Sequence, residues 1–268
     1  ITDPGVVGKG IAGLEIAYTP LEVAQAFSPV DIPLLLHLDE ASGATVFRDA
    51  TGNHDSTCQS PRCPTAGENS IAGTALRFDG MDDYVQFPDL LSYDELTVGV
   101  WVKITELPTS LRSIIHHDGW SRGNVHLHLT SDGNLEFALN GNSPATVFSD
   151  FAFDTRTFDQ WVHVAYVYDA VQKRVDFYIN GELDVTHTLI TALAGDLGPG
   201  QIGNWDSGAR PFDGLMDELV IFDRALSATE VKMLVETIGQ PWFNWEPTTL
   251  AQSGPGVTQT TWSHIVPG

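Results

Sequence analysis

The chain has 268 residues, 42% of them apolar, which is enough to bury a substantial core in one large domain with segments to spare. Only 18% of residues are charged, acids outnumber bases 35 to 13, and the net charge of −22 leaves no basic footprint for nucleic acid or for an anionic membrane. No apolar run approaches the length that spans a bilayer, and the start at Ile1 lacks the basic and apolar segments of a signal peptide, so the chain reads as a mature or excerpted piece of a longer protein.

Residues 1–30 are punctuated by Gly and Pro, yet AGLEIAYTPLEVAQAF (12–27) carries apolar residues at strand-like positions. From there alternation at period two dominates. LLLHLD (34–39), ALRFD (75–79), DYVQF (83–87), LTVGVWVKI (96–104), LRSIIHH (111–117), NVHLHLT (124–130) and NLEFALN (134–140) predict strands rich in β-branched and aromatic residues. WVHVAYVYD (161–169), RVDFYIN (174–180) and ELDVTHTLI (182–190) continue the series. Ser131-Asp132-Gly133-Asn134 marks one turn and Asn180-Gly181 a two-residue hairpin. Many short strands at this spacing predict an all-β sandwich or barrel. One short C-terminal helix is expected after Ser227, its N-cap, with Glu230 completing a capping box and Gly239 and Pro241 ending it. The tail beyond, 240–268, holds Trp242, Trp245 and Trp262 and the alternating string VTQTTWSHIV.

Cys58 and Cys63, the only cysteines, bracket CQSPRC in a Pro-containing loop. A local disulfide fits, and with it an oxidising compartment; free thiols or half of a metal site are the alternatives.

Five segments in order carry a family resemblance. Ala75–Val85 (ALRFDGMDDYV), Leu96–Val102 (LTVGVWV), Trp161–Tyr168 (WVHVAYVY), Val175–Gly181 (VDFYING) and Phe212–Ser227 (FDGLMDELVIFDRALS) together resemble laminin G-like domains of the concanavalin A-like lectin/glucanase superfamily. The resemblance implies two stacked antiparallel sheets in jelly-roll order over residues 31–239. Residues 1–30 and 240–268 are then extensions, or the ends of flanking β domains, able to pair with each other, a neighbour or another copy. The resemblance also implies a structural calcium. Its expected ligands are Asp217, Asp49, Asp39, Asn53 and Asp79, set against the simpler possibility that Asp49, Asn53 and Asp79 are ordinary turn residues.

Three further sites are open to weighing. Glycoside hydrolysis needs two carboxylates flanking the bond, and the glucanase branch sets them on one strand as E-x-D-x-E; that string is absent. Glu136 stands alone, Glu182 and Asp184 sit in a hairpin, and Asp217-Glu218 face opposite ways on a regular strand, so a non-enzyme is expected. His126 and His128 share a strand face near His116 and His117, a set able to bind zinc or copper, although half-buried polar residues of one sheet would look the same. Trp120 in HHDGWSRGN, and Trp205 with Asn204 and Asp206 in GNWDSGARP, are loop aromatics with polar company, suited either to glycan contact or to capping the core. Trp101 and Trp161 lie within strands and are expected to be buried.

The reading is a non-catalytic extracellular module, secreted or on the cell surface, for recognition or adhesion, binding a glycan or a protein. The alternative is a structural subunit assembled through its terminal strands.

Overall fold

The computed structural model describes residues 6–9, 15–18, 27–205 and 208–237. In chain order the strands are β1 (Val6–Lys9), β2 (Glu15–Tyr18), β3 (Leu34–Leu36), β4 (Val46–Phe47), β5 (Ser56–Thr57), β6 (Thr65–Asn69) and β7 (Thr74–Asp79). There follow β8 (Val85–Phe87), β9 (Ser92–Tyr93), β10 (Glu95–Lys103), β11 (Arg112–His117), β12 (Val125–Leu129), β13 (Asn134–Leu139) and β14 (Thr146–Ala152). The last are β15 (Val162–Asp169), β16 (Arg174–Ile179), β17 (Glu182–Thr188), β18 (Gly195–Asp196), β19 (Gly200–Ile202) and β20 (Asp213–Phe222), before the helix α1 (Ala228–Thr237).

Two antiparallel sheets of eight strands make the sandwich expected of a jelly roll. The first runs β17-β16-β15-β10-β20-β7-β6, with β3 also paired to β20. The second runs β14-β13-β12-β11-β19-β8-β5-β4. Alternation assigns each strand an inner face: Val98, Val100 and Val102 of β10 meet Leu127, Leu135 and Phe137 of the second sheet in one continuous core. Phe137 stacks on Tyr168 across the layers at 5.1 Å.

The first sheet is buried on both faces. Its outer side (Leu35, Ala165, Val167, Tyr178, Val220 and Phe222) is covered by Phe27, Ile32, Leu226 and by Val231, Met233 and Leu234 of α1. Local chemistry starts the helix as expected: Glu230 Oε2 accepts from Ser227 N at 2.7 Å, and Ser227 Oγ accepts from Glu230 N at 3.4 Å. Asn180 and Gly181 take positive φ of 49° and 82°, as a primed two-residue hairpin requires. Trp101 is buried on this outer face, edge-on to His163 at 5.4 Å, and Trp161 is half-buried.

Among the described residues the second sheet has no such helical cover. Strand register sets its outer face as a row across the strands, Gln86–Gln201–His116–His126–Ala138–Thr146, with His128 and Glu136 directly opposed in the next row. Cys58 and Cys63 form the disulfide, with Cα atoms 5.2 Å apart, in the loop that follows β5. β1 and β2 pair with each other as an antiparallel hairpin, whereas the expectations for 240–268 lie outside the described residues. No helix among the described residues is long and apolar enough to cross a membrane.

Candidate functional site: a cleft on the open sheet

Two loops raise walls over the polar row of the second sheet. The loop after β11 is pinned from several sides: Asp118 N donates to Pro199 O at 3.0 Å, and Ser121 N donates to Asn124 Oδ1. Asn140 Nδ2 donates to the Trp120 carbonyl at 2.7 Å. This leaves Trp120 half exposed, at 51%, with its ring 4.7 Å from that of His126. The loop after β19 turns at Gly203, whose φ of +80° lets it lie against Phe78, where a Cβ would come within 2.2 Å of the ring. Asn204 then organises the turn, its Oδ1 accepting from Trp205 N at 2.8 Å and Arg210 N at 3.4 Å. Ser113 N donates to Arg210 O at 3.0 Å, which ties the loop back to β11.

Between these walls lies a cleft of about 340 Å³ lined by His116, Trp120, His128, Glu136, Trp205 and Arg210, among others. Trp205 stacks on His116 with centroids 4.9 Å apart and planes at 27°, and the Arg210 guanidinium lies 5.1 Å from the Trp205 ring centre. Arg210 Nη1 is 3.2 Å from His116 Nε2 and 2.9 Å from His128 Nε2. His128 Nδ1 bonds Glu136 Oε1 at 2.9 Å, and His116 Nδ1 bonds the His117 carbonyl at 2.5 Å. Burial keeps the trio neutral: it pushes His116 down to about 3 and His126 down to about 2, and neighbouring positive groups add to both shifts. His128 is also lowered by burial, against the pull of Glu136.

The structure thus brings Trp120 and Trp205 into one site from loops 85 positions apart (205 − 120). Asn204 is buried and serves the turn, and Asp206 lies outside the described residues. Sequence reasoning missed Arg210 and read Glu136 as isolated. Glu136 could have been found, because it faces His128 once the turn at 131–134 sets the hairpin register.

The expected calcium ligands separate into three places. Asp217 is fully buried in β20, its Oδ2 accepting from Ile71 N and Ala72 N at 3.3 Å each and its Oδ1 from Glu218 N at 2.9 Å. Burial first, then Glu218 and Asp39, push its pKa up to about 7. Asp39 lies nearby, accepting from Thr74 N at 2.5 Å. Asp49 belongs to a turn pinned to β3, its two oxygens accepting from Leu35 N, Thr51 N and Oγ1, Asn53 N and His54 N. Asn53 spends its side-chain amide on Thr51 Oγ1 at 3.3 Å. Asp79 pairs with Asp213, four residues and ~13 Å along the strand from Asp217, and groups instead with Asp82 and Asp83. β20 is also irregular: a bulge falls opposite Gly99–Trp101, Glu218 has φ +48°, and its carboxylate bonds His37 Nδ1 at 2.9 Å.

A two-sheet jelly roll of this topology is the architecture of a concanavalin A-like domain. A family model for the concanavalin A-like lectin/glucanases superfamily matches residues 79–232, and the chain belongs to that superfamily as a laminin G-like member. Among solved structures it is similar to domain 4 of AbnA, a GH43 extracellular arabinanase from Geobacillus stearothermophilus in complex with arabinotriose. That likeness has 25% identity and a TM-score of 0.56, covering 76% of this chain and 98% of that one. The ligand-binding domain of botulinum neurotoxin serotype D with N-acetylneuraminic acid is 16% identical with a TM-score of 0.62, covering 82% and 53%. Trypanosoma rangeli sialidase, as a covalent intermediate, is 16% identical with a TM-score of 0.58, covering 80% and 34%. The last two likenesses are of fold alone. No curated protein matched the chain.

Proposed function

We propose that the chain is a non-catalytic glycan-recognition module of a secreted or cell-surface protein, its ligand lying in the cleft between Trp120 and Trp205. The observation that carries this reading is the convergence of two loop tryptophans, with Arg210 and Glu136, on one open sheet face. Aromatic faces take the apolar side of a sugar ring, and fixed polar groups orient its hydroxyls. The arabinotriose complex of the AbnA domain supports a sugar ligand and supplies a first probe; N-acetylneuraminic acid, bound by the toxin domain, is the second. The non-catalytic part rests on the cleft lining, where Glu136 is the one carboxylate among the described residues, against the two that glycoside hydrolysis employs. The disulfide supports an oxidising compartment.

Calcium belongs to this proposal as a structural ion. Of the residues expected to hold it, Asp217 and Asp39 fit: a fully buried carboxylate with acids beside it favours a hard divalent cation. Asp49 fits less well, since five donors already converge on its oxygens against three on those of Asp217.

A glycan array containing arabinan fragments and sialosides, repeated with Trp205→Ala, tests the recognition reading. Binding to at least one glycan class, weakened about tenfold or more in the variant, is expected. Absence of binding across the array, or binding indifferent to both Trp205→Ala and Trp120→Ala, contradicts it.

A further inference from the structure

We propose that His116 and His128, which line the cleft, and His126, buried against Trp120, form a site for a borderline divalent transition-metal ion of the Zn²⁺ class. One ring nitrogen from each of the three lies within 4.8 Å of the other two, and the side chains are 2%, 0% and 1% exposed. Tetrahedral Zn–N bonds of about 2.0–2.1 Å place nitrogens about 3.4 Å apart, so small ring rotations close the shell.

Tautomers favour the ion. A hydrogen on His116 Nδ1 is held by the His117 carbonyl, and one on His128 Nδ1 by the Glu136 carboxylate. Each ring therefore presents its Nε2 lone pair, and both lone pairs point to one place, now occupied by Arg210 Nη1 at 3.2 and 2.9 Å. An imidazole backed by a carboxylate or a carbonyl on its far nitrogen is the usual support of a metal ligand, because it fixes the ring and raises its basicity. His126 supplies an independent observation. It is wholly buried, yet neither ring nitrogen has a hydrogen-bonding partner among the described residues. Such a group is costly in a sheet that needs only packing, and a metal would satisfy it.

Arg210 is the competitor. Its guanidinium stands where the dication would sit, so metal entry moves this half-buried side chain toward the open cleft. Three imidazoles leave a fourth position for water or another ligand. Soft or borderline nitrogen ligands separate this ion from calcium, which takes oxygen.

The test is calorimetric titration of Zn²⁺ into the whole metal-stripped chain, in excess calcium, with Co²⁺ absorption as a second readout. One Zn²⁺ per chain, a four-coordinate Co²⁺ spectrum, weakening of about tenfold or more in His126→Phe, and tighter binding in Arg210→Ala are expected. Failure of Zn²⁺ to bind, affinity unchanged in His126→Phe, or weaker binding in Arg210→Ala would overturn the proposal. The Arg210→Ala arm decides the matter should His126→Phe not fold. The titration contains no glycan, so its failure would leave the recognition reading standing.

Discussion

Asp217 is a carboxylate with no exposed surface, and burial with Glu218 and Asp39 beside it pushes its pKa up to about 7. Calcium bound there is expected to stabilise the fold by about 2.7 kcal/mol at a hundredfold excess over its dissociation constant, and so to raise the melting midpoint. Scanning calorimetry with and without a calcium-selective chelator measures this; Asp217→Asn should remove the increment, and an unchanged wild-type midpoint contradicts the assignment. His163 carries the opposite lesson about buried charge. Burial holds it down to about 3 in the fold against 6.5 in the free side chain, so the unfolded chain alone takes up its proton between those values. Stability from this group is therefore full above about pH 6.5 and declines as pH falls toward 3, by at most ~1.4 kcal/mol per pH unit. His163→Phe should flatten the stability-against-pH curve in that window; an identical slope in the variant would refute the claim. At this scale the sequence was uneven as a guide. Trp120 and Trp205 stood out as aromatics in turn-rich loops, whereas Arg210 acquires its role through His116 and His128, 94 and 82 residues away.

Elements set by local chemistry were legible. The Ser227–Glu230 capping box, the Asn180-Gly181 hairpin and the long alternating strands all formed where their residues indicated. β4, β5, β9, β18 and β19 were not, because two or three residues carry no period and such strands exist only through their partners; the longer β6 and β14 also went unread. The bulge at Glu218 escaped for a related reason: a regular strand puts Asp217 and Glu218 on opposite faces, and only pairing with β10 shows the shift. The hairpin gives a direct check on element packing. A Cβ at Gly181 would meet Lys232 Cα at 3.2 Å on α1, on a backbone with φ of +82°. Gly181→Ala is expected to cost about 1–2 kcal/mol in denaturant unfolding, and a variant as stable as wild type would show that α1 does not pack there.

The whole molecule is asymmetric in how it treats its sheets. One is buried on both faces, by the second sheet and by α1; among the described residues the polar row of the other is covered by the two tryptophan loops, with a cleft between them. Composition could not reveal this, since both outer faces come from alternating strands and the cover depends on where α1 docks. Assembly through the ends is the competing account of the molecule. β1 and β2 pair with each other within the chain, so the amides facing across that pair should show protection that does not change on dilution; protection that grows with concentration would favour strand exchange between copies. The central claim, that the open sheet face holds a glycan between Trp120 and Trp205, is tested most directly by nuclear magnetic resonance of the tryptophan indole N–H signals during titration with a glycan identified on the array. Shifts confined to Trp120 and Trp205, with Trp101 and Trp161 unmoved, are the expected result. Binding that leaves both loop indoles unmoved would contradict it.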